Sequence, residues 1–153
     1  MAGPTVSILL KEESNEHDKE EILVFIESIS DKVHGNDFWV NGSPLGYVLR
    51  PDYPEEIDEY SSLKKIIGWS PKGIIGLYAM CNDNHDHFVL GKVALGISKI
   101  VSGKIAFHHL LKRYTEDNAI LNNPGVVTYD SESILNPEVL ELWLRHKDFC
   151  MVK

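Results

Sequence analysis

Long apolar runs are missing from this chain. None approaches the roughly 18 residues that a membrane-spanning helix needs, so no membrane partner is expected. Cysteine is scarce as well. Cys81 and Cys150 are the only two, with no C-x-x-C pair, no zinc spacing and no pattern of bridges. A reduced, cytoplasmic protein with two ordinary core thiols follows, and the position of Cys81 at the end of an apolar strand predicts its burial. The opening Met1-Ala2-Gly3-Pro4 has neither a basic stretch nor an apolar one, so no signal peptide is expected. Catalytic signatures are absent too: there is no G-x-S-x-G elbow and no H-E-x-x-H helix. Gly73-Ile74-Ile75-Gly76 lies inside a strand pattern with no Lys-Ser/Thr after it, which removes a phosphate loop. No nucleophile announces itself, and no cofactor or metal is expected.

Positive charge is thin in the first part of the chain. Residues 1–60 hold 14 acids against 4 bases, and the remaining residues hold 9 against 11, for a total of −8. The acidic part repels phosphate backbones, which argues against a nucleic-acid partner. It also suits docking of a basic protein surface.

What is present is a well-punctuated globular sequence of 153 residues, an ordinary length for one domain spanning residues 1–153. Thr5 to Leu10 starts as an alternating strand. Ser14 or Asn15 caps a helix whose acidic start suits the helix dipole. Its apolar spacing runs through Ile22, Phe25, Ile26, Ile29 and Val33 to a stop at Gly35. Strands at 37–40 and 45–49 flank Asn41-Gly42 as a hairpin, and Pro51–Pro54 reads as a loop. A second helix starts at Pro54, carries Glu55, Glu56, Asp58 and Glu59 in its opening turns, and stops at Gly68.

The most ordered stretch is a central strand–helix–strand unit, residues 73–109. An almost wholly apolar strand leads into Asn82-Asp83-Asn84-His85-Asp86-His87, then a helix containing Gly91 and Gly96, with Gly103 placed as its stop. A parallel crossover is the expected geometry, with the two helical glycines drawing the helix close to the sheet. Residues 112–124 read as irregular. Residues 125–130 read as a further strand, and Asn136-Pro137-Glu138 as a helix start. The expected fold is α+β, a mixed or antiparallel sheet of about five or six strands packed with about four helices.

The densest polar cluster invites a chemical reading. His85, Asp86 and His87 are metal-ligand types, and His108 and His109 lie one crossover away. The spacing favours the plainer account, with Asp86 as a cap and His87 as a first-turn residue. Trp69, bracketed by Gly68 and Ser70-Pro71, is a loop aromatic of the kind that anchors interfaces.

Gly68-Trp69-Ser70-Pro71, the strand into Cys81-Asn82, Asp86-His87, Gly103 to Phe107, and the closing segments Trp143 to His146 and Phe149 to Lys153 together resemble a small family of uncharacterised bacterial proteins. That family is similar in type to the acidic immunity proteins that neutralise bacterial toxins. The resemblance implies a cytoplasmic inhibitor-like binding module for a basic protein. The residues expected to meet that partner are Glu55, Glu56, Asp58, Glu59 and Trp69, with Asp83, Asp86 and His87 nearby. The rival expectation is a small enzyme or metal protein centred on the Asp83–His87 turn.

Overall fold

The computed structural model describes residues 2–13, 15–50 and 54–153. In chain order the elements are β1 (Thr5–Leu10), α1 (Glu16–Ile29), β2 (Lys32–His34), β3 (Asp37–Val40), β4 (Ser43–Arg50), α2 (Pro54–Glu59), a 3-10 turn at Ser61–Leu63, and α3 (Lys64–Ile67). There follow β5 (Gly73–Ala79), α4 (Asn84–Val101), β6 (Lys104–Ala106), a 3-10 turn at Leu111–Arg113, α5 (Asn118–Leu121), β7 (Val126–Tyr129), β8 (Glu132–Leu135) and α6 (Pro137–Leu144). The expected loop at residues 51–53 and the alternative cap Ser14 lie outside the described residues. The other candidate cap is in place, with the Asn15 side chain accepting from the Asp18 N–H at 2.8 Å.

All the strands join one eight-stranded sheet in the order β2-β3-β4-β5-β1-β6-β8-β7. Every neighbouring pair is antiparallel. β1 lies between β5 and β6 and runs opposite to both, with Ser7 level with Gly76 on one side and Ala106 on the other. β5 and β6 are therefore parallel to each other, and α4 crosses over β1 to join them. The expected crossover exists, but it is split by the first strand of the chain.

Alternation along the strands divides the core between the two faces of the sheet. Val6, Ile8 and Leu10 look toward α1, α4 and α6, where Ile26, Ala94, Ile97 and the fully buried Trp143 complete the larger cluster. Leu9, Ile74, Ala106 and Ile134 look the other way and meet Tyr60 and Leu63 of the α2–α3 segment. Three long helices cover the first face. Among the described residues, one short, broken helical segment reaches the second.

Several expectations are corrected. The first helix ends at Ile29, where Ser30 turns extended and its hydroxyl donates to the Ile26 carbonyl. Val33 belongs to the edge strand β2 and is exposed, so its helical spacing from Ile29 is coincidental. The second helix breaks into α2, a 3-10 turn and α3. The polar stretch after Lys112 contains α5. β8 was not expected because its turn from β7, Asp130-Ser131, has no glycine. Asp130 itself takes the positive φ of 53°. The sheet consequently has more strands than expected.

Cys81 lies past the end of β5 and is exposed, while Cys150 is partly buried. Gly91 and Gly96 draw α4 toward other helices and not toward the sheet. A Cβ on Gly91 would come 2.7 Å from Leu144 of α6, and one on Gly96 would come 2.2 Å from the Phe25 ring of α1. The left-handed residue that ends α4 is Ser102, φ 50°, not Gly103. Gly103 is required for a different reason: a Cβ there would stand 2.6 Å from Ile8 Cγ2 and 2.9 Å from the Leu9 carbonyl oxygen.

Adjacent substitutions at this helix end should therefore act in opposite directions. Gly103→Ala forces β1 away from the end of α4 and is expected to cost about 1–3 kcal/mol, a typical overpacking penalty. Ser102→Gly relieves a left-handed strain of about 1–2 kcal/mol at some entropic cost, so it should be neutral or stabilise by up to about 1 kcal/mol. Thermal unfolding should show the first variant below the wild type by about 2–4 °C per kcal/mol and the second level with it or above.

Candidate functional site

The candidate residues sit in three separate places. Asp83, Asp86 and His87 form the start of α4. Asp83 accepts from the Asp86 N–H and Asp86 Oδ2 accepts from the Asp83 N–H, both at 3.0 Å, which completes a capping box. Asp86 is only 3% exposed, and its Oδ1 accepts from the Ser43 hydroxyl at 2.7 Å. Burial works against the charge on Asp86. The hydrogen bonds from Ser43 and Asp83, with help from His85, outweigh it and hold the carboxyl below its ordinary value. His85 Nε2 donates to the Asn41 carbonyl at 3.0 Å. Asn41 and Ser43 belong to the β3–β4 turn, so this end of α4 is clasped to the hairpin.

His87 is held in the same way. The Met151 N–H donates to its Nδ1 at 2.9 Å, so the proton is on Nε2, which donates to Asn82 Oδ1 at 2.9 Å. Burial pushes its imidazole below the ordinary histidine value, against the opposing pull of Asp86. Both ring nitrogens are occupied by the protein itself. The Asp83–His87 turn thus clasps α4 to the hairpin and to the C-terminal segment. Among the described residues no three His, Cys, Asp or Glu side chains gather as metal ligands. His85 and His108 line different cavities.

Trp69 stands elsewhere again. It lies beside Lys11, Lys99 and Lys104 in a groove of about 350 Å³, and its ring packs partly against the smaller core cluster. Its surroundings are basic, so it does not join the acids it was grouped with.

The acids of α2 do reach a cavity. On the open half of the second sheet face, a cleft of about 440 Å³ is bounded by Glu56, Glu59 and Tyr60 on one side. Ser7, Tyr78, His108 and Glu132 bound it on the others. Glu55 and Asp58 are exposed on the same short helix. α2 is fixed over the sheet from beneath, where Tyr60 stacks on Tyr129 at 5.7 Å and the Tyr129 hydroxyl donates to the Glu59 carbonyl at 2.6 Å. Burial first, and then the nearby Glu132 carboxylate, push the Tyr60 phenol far above its ordinary value. Burial and Asp37 raise that of Tyr78. Both phenols therefore stay neutral donors at physiological pH.

Glu132 is a member of the cleft that the sequence does not reveal, because it begins the strand hidden by the Asp130 turn. Ser7 is a second. It occupies a routine polar position in an alternating strand and gains meaning only from what the sheet places beside it.

The chain matches the family of unknown function DUF6368 over residues 2–153. It belongs to that family. No curated protein and no solved structure matches the chain, and nothing in the family match points to immunity proteins. No helix among the described residues is long and apolar enough to cross a membrane.

The clasp has measurable consequences. Ser43→Ala leaves the buried Asp86 oxygen without its donor and should cost about 1–3 kcal/mol. Asp86 has a lowered native pKa, so its stabilising effect is complete above the ordinary carboxylate value near 3.9 and is lost as pH falls through the native value. His87 is lowered from about 6.5, so the unfolded chain takes up its proton first. Its contribution is complete above pH 6.5 and is lost as pH falls toward the native value. Urea unfolding between pH 7.5 and 5 should show wild-type stability declining with acidity, and a flatter decline in His87→Gln.

Proposed function

We propose that the protein is a cytoplasmic binding module that receives basic side chains of a protein partner in the α2 cleft. The observation that carries this reading is the convergence of Glu56, Glu59 and Glu132 on one concave cavity. On a flat surface an ion pair is worth about 0–1 kcal/mol. In a concave cleft several carboxylates can act on one cation at once, so their small contributions add. Glu55 and Asp58 extend the negative field outside the cleft and would steer a cationic partner toward it. Tyr60 and Tyr78 add aromatic rings beside the carboxylates, a combination suited to an ammonium or a guanidinium. A narrower form, an inhibitor of a basic toxin, rests only on a general likeness in type between small acidic proteins of this kind and immunity proteins.

A ten-residue peptide rich in Lys and Arg is a sufficient probe. Titrated into the labelled protein, it should shift the amide resonances of Glu59, Tyr60, His108 and Ser7, and raising the salt should weaken it. Joint reversal of Asp58 and Glu59 to Lys should reduce affinity about tenfold or more, equivalent to about 1.4 kcal/mol. Reversal of Glu20 and Glu27 on α1 should change little. Equal losses for both pairs, or shifts scattered over both sheet faces, would mean the protein is attracting the peptide only through its net charge.

A further inference from the structure

Beneath α2, three side chains from distant parts of the chain line up across the floor of the cleft. Ser7 Oγ on β1 lies 3.1 Å from His108 Nε2. His108 Nδ1 lies 3.5 Å from Glu132 Oε2 on β8. The Glu132 side chain is 14% exposed and that of His108 is 30% exposed, so the pair is sheltered while the serine end opens into the cavity.

With His108 Nδ1 carrying the imidazole proton toward the Glu132 carboxylate, which can accept it, the three groups form a proton chain in one direction. Nε2 then offers its lone pair to Ser7, and the serine hydroxyl donates. That is the tautomer required of a general base acting on a serine.

The backbone around His108 is set for this placement. β6 ends at Ala106, and His108 takes φ 69°, a left-handed conformation that L residues seldom adopt. In a continued strand, neighbouring His108 and His109 would face opposite ways. The turn instead delivers the His108 ring to Ser7, while His109 Nδ1 lies 2.6 Å from the Tyr114 hydroxyl. Residues held in rare conformations gather at functional sites.

We propose that Ser7 and His108 are a nucleophile and general base, positioned by Glu132, and that the cleft hydrolyses a small ester bearing a cationic group. The proposal rests on the cleft being a cation site, and adds a reaction to it. His108 Nε2 takes the hydroxyl proton as Ser7 Oγ bonds to the ester carbonyl carbon. The carbon–oxygen bond to the alcohol then breaks, and His108 returns the proton to the leaving oxygen. Water completes the cycle. It gives a proton to Nε2 and its oxygen to the acyl carbon, the bond from that carbon to Oγ breaks, and Ser7 recovers its proton. The neutral hydroxyl of Thr5 also lines the cavity on the strand that carries Ser7 and is the group placed to meet the carbonyl oxygen. Glu59 at the rim is placed to meet the cationic group.

A neutral fluorophosphonate, which bonds to activated serines with loss of fluoride, tests the nucleophile directly. Peptide mass spectrometry of the treated chain should find the adduct on Ser7 and none in Ser7→Ala. His108→Asn keeps a residue tolerant of the left-handed backbone and should slow labelling on the order of 10²-fold or more. Glu132→Gln should slow it less and shift the ¹⁵N resonances of the His108 ring toward the other tautomer, a change that a merely structural Glu132 would not produce. The 4-nitrophenyl ester of lysine should be cleaved about tenfold faster than 4-nitrophenyl acetate, matching one favourable charge contact. Glu59→Lys should erase that preference. Labelling of Ser7 without peptide binding would overturn the binding module and spare the nucleophile. No adduct on Ser7, or equal rates in wild type and His108→Asn, would overturn the nucleophile and spare the module. If His108→Asn does not fold, the wild-type adduct and the Glu132→Gln rate decide by themselves.

Discussion

The fold depends on β1 being paired along both edges. Antiparallel to β5 on one side and to β6 on the other, it fills the gap left by the α4 crossover. Ile8 and Leu9 are fully buried on opposite faces, so each face of the core is anchored on this strand. Full burial of a large aliphatic side chain contributes about 1.5–3 kcal/mol. Removal of the strand would also expose hydrogen-bonding groups of both its neighbours, each costly when left unpaired. The C-terminal segment is tied to the same strand, with the Thr5 N–H donating to the Val152 carbonyl at 2.8 Å. β1 thus joins the two ends of the described chain to the middle of the sheet. It also carries Ser7, which explains how residues 101 positions apart come within hydrogen-bonding distance.

Much of this architecture is legible wherever local chemistry and tertiary structure agree. The β3–β4 hairpin follows from Asn41-Gly42, both with positive φ, as a two-residue loop of this kind requires. The proline beside it is tolerated because a two-residue loop closes on a hydrogen-bonded pair, so Trp39 and Pro44 form the next, non-bonded pair. α4 and α6 follow from their caps and apolar spacing. Legibility fails where a residue breaks its own preference. Asp130, Ser102 and His108 adopt positive φ without being glycine, and each conceals an event: a hairpin, a helix end and the turn toward the cleft. Val33 misleads in the other direction, because one apolar side chain four residues after Ile29 imitates another helical turn.

For the site, the sequence discloses charge but not convergence. The acids of α2 are visible as a cluster, and two of them, Glu56 and Glu59, line a cavity. Asp83 to His87 looks equally chemical, yet its polar atoms are consumed by capping and by bonds to Ser43, Asn82 and Met151. The difference lies in what surrounds each cluster. At the start of α4, the hairpin turn and the C-terminal segment supply a partner for nearly every donor and acceptor. In the cleft beside α2 the contrast is at Glu132, whose Oε1 is buried with no hydrogen-bond partner among the described residues. Polar density alone does not separate the two places, and the hydrogen bonds around each do.

The cleft exists because the second face of the sheet is only half covered. An unbroken helix over residues 54–67 would be about 21 Å long at 1.5 Å per residue, enough to lie across several strands. Instead the segment breaks after Glu59 into a 3-10 turn, where Tyr60 and Leu63 fold down onto Leu9, Ile74 and Ile134. The uncovered strands carry Thr5, Ser7, Gly76 and Tyr78 at their outward positions, residues that tolerate water. An apolar set there would have required a longer helix to cover it. The break in α2 and the polar outward residues of β1 and β5 are thus two halves of one arrangement, each of which would be destabilising without the other. Together they leave a serine, a histidine and a group of carboxylates facing the same open space.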